Sequence, residues 1–426
     1  MKILMLSWEY PPHVVGGLAA HMQGLSRALV RRGHEVTVIT QDAATEREQY
    51  DEGVRVLRTP PVPVRSPDFM GFVHQLNQQM LGKALEQMLN GERYDLIHAH
   101  DWIVAFAAAT LKQSLRLPLI ATIHATEFGR NGGLHNDQQR HISDIEWWLI
   151  FEAWRVIVCS ESMKGELKHV FQAPDDKVRV IPNGIDTRGL PVPRDMQLRR
   201  QYAADDEDII FFAGRLVFEK GVDVLLYALS YLLRVRPNVH AIIAGKGPIQ
   251  GDLEHLAHHL GIAHRVHFVG HVDAKLRDKL LAISNVAVFP SRYEPFGIVA
   301  LEAMASGVPV IAGGVGGLAE IISHGEDGLL VHPGDAGALS ADLLTLLDDR
   351  NRAHRMAEAA AEKVRRKYSW ESVAEQTEAL YNEVLTAYRQ SDWHAEMPIL
   401  AGLKNGASEL ERFRDGRYQA TGASDL

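Results

Sequence analysis

Residues 2–39 read KILMLSWEYPPHVVGGLAAHMQGLSRALVRRGHEVTVI. This stretch decides the fold, because an apolar run, a glycine loop, a helical pattern and a second apolar run follow one another in it. Apolar residues recur at helical spacing from Leu18 to Leu29, and Gly33 fits the position just after a helix. The flanking runs are almost continuously apolar, as in strands that are covered on both faces. The stretch therefore predicts a strand–helix–strand unit of a parallel sheet.

The same alternation of strands and helices continues along the chain. Apolar runs recur at residues 96–100, 119–124, 155–160 and 178–184, and a second series occupies residues 209–214, 239–245, 266–270, 286–290 and 308–313. A chain of 426 residues is also long enough for two domains. We therefore predict the α/β class, with two successive α/β units joined by a linker near residues 186–198. A long helical pattern at residues 370–388 follows, and then a polar tail from Ser391.

Composition narrows the functional class. The chain has 45 Lys and Arg against 54 Asp and Glu, a formal net charge of −9, which argues against a dedicated nucleic-acid-binding protein. A single cysteine, Cys159, excludes an internal disulfide and a cysteine-cluster metal site. No apolar run reaches membrane-spanning length, and the run after Met1 is too short for a secretory signal. We expect a cytoplasmic protein without an integral membrane segment.

Two glutamates mark the candidate ligand site in the second unit. Glu294 and Glu302 lie eight residues apart around a Phe-Gly turn, in the stretch PSRYEPFGIVALEAMASG at residues 290–307. A helix that starts near Gly297 would offer free N–H groups and a partial positive charge, which suit a phosphate. Carboxylates are good acceptors for sugar hydroxyls. The pattern predicts a pocket for a nucleotide sugar.

The spacing of the two carboxylates separates this pocket from a hydrolase site. Eight residues of helix span about 12 Å, whereas the paired carboxylates of a glycosidase lie roughly 5 to 10 Å apart. Glu302 is surrounded by apolar or small residues, so its carboxylate needs a partner there, and a ligand hydroxyl is a plausible one. A solvated glutamate is the ordinary alternative for either residue.

A cationic loop follows the first strand of the second unit. Residues 214–221 read GRLVFEKG, so Arg215 and Lys220 lie between two glycines at the entrance to a helix. An arginine fork and a lysine charge could converge on a diphosphate there. The alternative is a solvated charged turn.

Histidines end two strands of the first unit. His124 closes a buried strand, where it either faces the cleft or is a hydrogen-bonded core residue. His98, His100 and Asp101 form a second group, and strand alternation places the two histidines on one face. Metal binding is one interpretation of that group, but no third well-spaced ligand accompanies it, so we predict no metal site.

Two glycine-rich segments remain. Gly16 and Gly17 separate the first strand from the first helix, where a backbone can approach a phosphate or simply turn tightly. Residues 313–320 read GGVGGLAE and suggest a flexible loop that closes over a sugar phosphate. No complete Gly-x-Gly-x-x-Gly pattern follows a strand, which disfavours a dehydrogenase.

Together these motifs resemble the retaining GT-B glycosyltransferases over residues 1–388. The resemblance is carried by VGGL at 15–18, HAHDW at 98–102, IPNGID at 181–186, the Arg215–Lys220 loop and the Glu294–Glu302 element. The sequence SWEYPP at 7–12 and the His-Asp-Trp motif are most similar to bacterial and archaeal glycogen synthases and to the related maltose-1-phosphate synthases.

The resemblance implies two Rossmann-like domains that face each other across a cleft. The first domain would bind the acceptor and span residues 1–187, and the second would bind the nucleotide-sugar donor and span residues 188–369. Residues 370–390 would form a helix that crosses back to the first domain, and residues 391–426 a polar tail.

The resemblance also implies roles for individual residues. Arg215, Lys220 and the Gly16–Gly17 loop would bind the donor diphosphate, with Gly17 offering its amide. Glu294 would hold the transferred sugar, with His124 beside the reacting carbon. The remaining donor-binding residues would be Phe296, Gly297, Ile298 and Glu302, the last at the ribose.

The implied reaction is α-glucosyl transfer from ADP- or UDP-glucose to an α-1,4-glucan or to glucose 1-phosphate, without metal or cofactor. Glycogen synthases typically read Lys-x-Gly-Gly-Leu, whereas this chain has Val14 at the lysine position. One phosphate-binding cation is therefore absent, and the donor base stays open. The alternatives are hexosyl transfer to a lipid or small-molecule acceptor and, less favoured, a non-catalytic nucleotide-sugar-binding protein.

Overall fold

The computed structural model describes residues 1–14, 16–41, 47–62 and 64–394. The first sheet contains the strands β1 (Lys2–Leu6), β2 (Glu35–Gln41), β3 (Arg47–Asp51), β4 (Val54–Thr59), β5 (Leu96–His100), β6 (Leu119–Ile123), β7 (Arg155–Val158) and β8 (Val178–Val180). Their order is β3-β4-β2-β1-β5-β6-β7-β8, and only β3 runs antiparallel to its neighbour.

The second sheet contains β9 (Asp208–Ala213), β10 (Val239–Ala244), β11 (Val266–Gly270), β12 (Val286–Phe289), β13 (Val310–Gly313) and β14 (Leu329–Val331). It is parallel throughout, in the order β11-β10-β9-β12-β13-β14. The strands β9, β10 and β12 are buried along their whole length. This agrees with their continuous apolar sequences, because both faces of the sheet are covered.

Helices cover both sheets. Those associated with the first sheet are α1 (Gly17–Arg31), α2 (Phe69–Leu89), α3 (Ala105–Leu115), α4 (Glu127–Asn131), α5 (Asp137–Glu152) and α6 (Glu161–Phe171). Those that follow are α7 (Met196–Arg199), α8 (Val222–Leu232), α9 (Gln250–His259), α10 (Ala274–Ile283), α11 (Ile298–Ala305), α12 (Gly316–Ile321), α13 (Ala336–Asp348), α14 (Arg350–Lys367) and α15 (Trp370–Arg389). The predicted α/β fold with two Rossmann-like units is confirmed.

The opening strand–helix–strand unit forms as its pattern predicts. β1 pairs with β2 in parallel, with Ile3 opposite Val36. Between them, α1 begins at Gly17 and turns Leu18, Met22, Leu25 and Leu29 inward. Gly33 follows the helix with φ of +88°, the left-handed conformation that glycine adopts without strain.

The last long helix crosses back to the first unit. α15 packs against α1, where Trp370 is buried with Leu25 and Tyr381. Tyr381 also meets His98 of β5, with its hydroxyl oxygen 2.6 Å from Nδ1. The predicted crossover is therefore confirmed. Of the predicted polar tail, only residues up to 394 lie within the described part of the chain, where Asp392–His394 forms a 3₁₀ turn.

In the described residues no helix combines the length and the apolarity that a membrane crossing needs.

Loops at the carboxyl ends of the two sets of strands meet each other. Ser160, after β7, donates its hydroxyl to the carbonyl oxygen of Pro295, after β12, at 2.8 Å. The backbone amides of Glu161 and Ser162 donate to the Glu320 carboxylate at 3.0 and 2.8 Å. These contacts place the candidate site residues of both units along one cleft.

Candidate active site

Lys220 and Glu294 form an ion pair at the carboxyl edge of the second sheet. Lys220 ends a 3₁₀ turn that follows β9, and Glu294 lies in the loop after β12. The distance between Lys220 Nζ and Glu294 Oε2 is 2.7 Å, and the two side chains are only 19% and 11% exposed. Ser291 donates its hydroxyl to the same carboxylate oxygen at 3.2 Å. Two residues that the sequence assigned to the donor site are therefore in direct contact.

The second glycine-rich segment is not the flexible loop that its sequence suggested. Residues Gly316–Ile321 form the helix α12. Its amide at Gly317 donates to the Glu294 carbonyl oxygen at 3.0 Å, and a Cβ on Gly316, which has φ of +48°, would overlap that same carbonyl. The expectation of a flexible loop was wrong, because these glycines allow α12 to pack directly on the backbone that holds Glu294.

The helix α11 begins where the sequence placed its start. Gly297 is the N-cap with φ of +108°, and Ile298–Ala305 forms the helix. Amides in a first helical turn have no acceptor within the helix, so they are free to bind an anion. Phe296, just before the cap, is buried. Its burial fixes the loop from which α11 starts.

Glu302 lies in the middle of α11 and is buried. Its Oε1 atom is 2.6 Å from an Arg277 guanidinium nitrogen, and its Oε2 atom has no hydrogen-bond partner within the described residues. Burial raises the pKa of the carboxyl to about 7, although the neighbouring Arg277 opposes that shift. The sequence predicted that this carboxylate needs a partner but did not identify Arg277, which comes from α10. The second oxygen is still open to a hydrogen-bond donor.

Arg215 follows β9 and is the more exposed of the two predicted cations. Its side chain is 48% exposed, and its guanidinium lies 3.4 Å from Glu219 Oε1. A contact this long at the surface contributes little. The guanidinium can therefore turn towards a ligand at small cost.

The glycine loop of the first unit faces α11. A Cβ on Gly17 would lie 3.3 Å from Ile298 Cδ1, so the first turn of α1 approaches the first turn of α11 across the cleft. Gly16 donates its amide to Glu9 Oε2 at 2.9 Å. Sequence reasoning did not associate Glu9 with the loop. Val14, which occupies the position where glycogen synthases typically have a lysine, is 44% exposed.

His124 lies at the end of β6 and is partly exposed. Its backbone amide donates to Asp101 Oδ1 at 2.8 Å. Burial lowers the pKa of the imidazole to about 3 and raises the pKa of the Asp101 carboxyl to about 6. At neutral pH His124 is therefore neutral, and it can exchange hydrogen bonds with a sugar without carrying charge.

The two histidines of β5 have different surroundings. His98 is a core residue, with Nδ1 2.6 Å from the Tyr381 hydroxyl and Nε2 2.7 Å from the Thr122 hydroxyl. His100 lies beside His124 instead, with 3.4 Å between its Nδ1 atom and His124 Nε2. The shared strand face that the sequence predicted is present, yet only His100 points to the candidate site.

Similarity to known proteins agrees with this geometry. The family described as Glycosyltransferase Family 4 matches residues 15–188, and the family described as Glycosyl transferases group 1 matches residues 195–363. An uncharacterized glycosyltransferase of Methanocaldococcus jannaschii is 40% identical over 386 residues, which cover 89% of this chain and 98% of that protein. The chain belongs to the GT-B glycosyltransferases.

Two further relatives of this glycosyltransferase have named activities. A glycogen synthase of Mycobacterium tuberculosis is 36% identical over 405 residues, 92% of this chain and 96% of the relative. The structure of a sucrose-phosphate synthase from Thermosynechococcus elongatus superposes with a TM-score of 0.79 at 27% identity, covering 91% of this chain and 99% of that one. The resemblance to glycogen synthases that the motifs indicated is thereby confirmed. The sucrose-phosphate synthase shows that the chain is also similar to a protein with a different activity.

Proposed function

We propose that this glycosyltransferase moves an α-glucosyl unit from ADP-glucose or UDP-glucose to an α-1,4-glucan or to glucose 1-phosphate, with retention of the anomeric configuration. One observation carries the proposal. The Lys220–Glu294 pair lies in the loops after β9 and β12, α11 starts just after Glu294, and Glu302 within α11 has an Oε2 atom without a partner among the described residues. The carboxylates offer oxygen atoms that accept hydrogen bonds from the hydroxyls of a sugar and of a ribose. The lysine and the free amides of the helix offer positive charge and N–H donors for a diphosphate.

The donor roles follow from this order of groups. Arg215 and Lys220 bind the diphosphate, with the first-turn amides of Gly17 and Ile298. Glu294 accepts hydroxyls of the transferred sugar and releases Lys220 to the phosphate. Glu302 binds the ribose through Oε2, the oxygen that has no partner in the described part of the chain.

The chemistry needs neither a metal nor a cofactor in this proposal. The leaving diphosphate is stabilised by Arg215, Lys220 and the helix amides, which act on charge that develops as the glycosidic bond breaks. The same diphosphate accepts the acceptor's proton on the face from which it departs. His124 stands beside the reacting carbon as a neutral hydrogen-bonding group, in keeping with its lowered pKa.

Two acceptor classes have support from different relatives. The glycogen synthase supports a glucan acceptor, and the sucrose-phosphate synthase supports a small sugar acceptor. A lipid acceptor and a non-catalytic nucleotide-sugar-binding role are the remaining alternatives.

We place the enzyme in the cytoplasm, with residues 1–187 as the acceptor domain, 188–369 as the donor domain and 370–390 as the crossover helix.

A donor and acceptor screen tests the proposal. ADP-glucose and UDP-glucose are each offered with glycogen, maltose or glucose 1-phosphate, and released nucleoside diphosphate is measured in the presence of EDTA. We expect turnover with at least one of these combinations. Absence of turnover with both glucose donors would overturn the glucosyl assignment.

A further inference from the structure

Three histidines from separate elements of the first unit converge at one place. His21 comes from α1, His100 from the end of β5 and His124 from the residue after β6. Each offers one ring nitrogen, and the three nitrogens lie within 4.8 Å of one another. Sequence analysis grouped His100 with His98 and Asp101 and treated His124 separately. It did not consider His21, which is 79 residues before His100 in the sequence.

The hydrogen bonding of His21 leaves one ring nitrogen with a free lone pair. Its Nδ1 atom lies 2.7 Å from Asn183 Oδ1, and an amide oxygen can only accept, so the proton resides on Nδ1. The Nε2 atom therefore carries the lone pair, and it is buried without a partner within the described residues. Histidines that bind metal usually donate their other N–H group to a fixed oxygen in this way.

The other two imidazoles have a spacing that suits a small cation. His100 Nδ1 and His124 Nε2 are 3.4 Å apart. Two nitrogens bound to zinc at about 2.0–2.1 Å with a tetrahedral angle are also about 3.4 Å apart.

We propose that His21, His100 and His124 form a binding site for Zn²⁺, and that zinc bound there inhibits the enzyme by holding His124 away from the donor sugar. His98 is not a ligand, because a hydroxyl group contacts each of its ring nitrogens. His124 is partly exposed, so the ion enters from the cleft. Three protein ligands leave one position for water.

The ring of Trp370 packs against the His21 member of the cluster. Its centroid lies 5.6 Å from that of His21, at an angle of 78°. An indole presents no metal ligand, so Trp370 packs against His21 without competing for the ion. The inhibitory part of the inference rests on the proposed role of His124, whereas the binding part rests on the three imidazoles alone.

Metal titration of the full chain, prepared without a histidine tag and treated with EDTA, tests the binding part. Co²⁺ is added as a spectroscopic probe, Zn²⁺ affinity is measured by calorimetry, and no nucleotide sugar is present. We expect one Zn²⁺ per chain, a tetrahedral cobalt spectrum, and affinity at least tenfold weaker in both His21→Asn and His124→Asn. The control His354→Asn, whose side chain is 74% exposed, should bind zinc as the parent does.

Two results would overturn the inference. One is an absence of the tetrahedral cobalt spectrum from folded parent protein, and the other is equal zinc affinity in the parent, His21→Asn and His124→Asn. His124→Asn keeps the test valid if the buried His21 variant fails to fold.

Competition between zinc and the donor is then measured with ADP-glucose and UDP-glucose. Because the donor screen is run in EDTA, a failed glucosyl assignment and a failed metal site give separate results.

Discussion

At the scale of single residues, Glu146 illustrates how burial can hold a carboxyl in its neutral form. This residue of α5 is buried, and its Oε1 atom accepts the Glu127 amide at 2.9 Å. Its Oε2 atom has no partner within the described part of the chain. Burial raises the pKa of this carboxyl from an ordinary 4.5 to about 8. The folded protein therefore keeps a proton that the unfolded chain releases above pH 4.5.

This proton makes stability depend on pH in a definite direction. A raised folded pKa means that the contribution is complete below pH 4.5 and is lost as the pH rises towards 8. Relative to Glu146→Gln, the parent should lose about 3 kcal/mol of unfolding free energy between pH 4.5 and pH 7. Thermal unfolding of both proteins across this range measures the difference. A constant difference would contradict the raised pKa.

The two site glutamates should have separable effects. Glu294→Ala should lower the transfer rate at least a hundredfold and change the Kd of the nucleoside diphosphate little, because its carboxylate would contact the sugar. Glu302→Ala should weaken that Kd at least fivefold, since it removes the ribose contact. Calorimetry with the diphosphate and initial-rate assays measure the two quantities. Glu326→Ala is the control, because Glu326 is an exposed residue. Equal effects on both quantities from both variants would contradict the division.

Prediction at this scale was limited by partners that lie far away in sequence. The apolar neighbours of Glu302 indicated correctly that its carboxylate is buried and needs a partner. Arg277, which supplies that partner, lies on a different helix, and no local pattern connects the two residues. The Lys220–Glu294 contact was missed for the same reason, although each residue was assigned to the site separately.

At the scale of elements, α12 controls the position of the Glu294 loop. Gly316→Ala should lower kcat/KM at least tenfold, because the new Cβ would displace the Glu294 backbone. Gly325→Ala is the matched control, since Gly325 has φ of +84° and no atom near its absent Cβ. Both substitutions place an alanine at a positive φ, so each variant carries a backbone strain of about 1 kcal/mol. Rate assays and thermal unfolding distinguish them, and equal activity in the two variants would contradict the argument.

The helices show which sequence signals were reliable. Gly297 was read correctly as a helix start, because an apolar stretch follows the Phe-Gly turn. The glycines at 313–317 were read as a flexible loop, because the pattern that follows them is short. Close backbone packing, rather than flexibility, explains those glycines, and the tertiary contact that demonstrates it is not visible in the sequence.

At the scale of the whole molecule, α15 joins the end of the described chain to the first unit. Trp370 is buried against α1, and Arg31 and Arg32 form ion pairs with Glu371 and Glu378. Trp370→Ala should lower the free energy of unfolding by about 3–5 kcal/mol through the cavity that it leaves. Denaturant unfolding measures the loss. Trp147→Ala is the control, because Trp147 is 49% exposed and should cost much less. Equal losses would contradict the packing role.

The two-unit architecture was readable from the sequence, because buried parallel strands leave continuous apolar runs. Contacts between the units were not readable. The bond from Ser160 to the Pro295 carbonyl joins residues 135 positions apart, and neither carries a local signal for it. The cluster of His21, His100 and His124 was not readable either, although it lies within the first unit, because it assembles only when α1, β5 and β6 are adjacent.

The stereochemistry of the product tests the central claim, retaining glucosyl transfer, most directly. The enzyme is incubated with ADP-glucose or UDP-glucose and with maltose or glucose 1-phosphate, and the anomeric proton of the new linkage is followed by NMR from the first turnovers. We predict an α-linked product from the α-configured donor. A β-linked product would contradict the account.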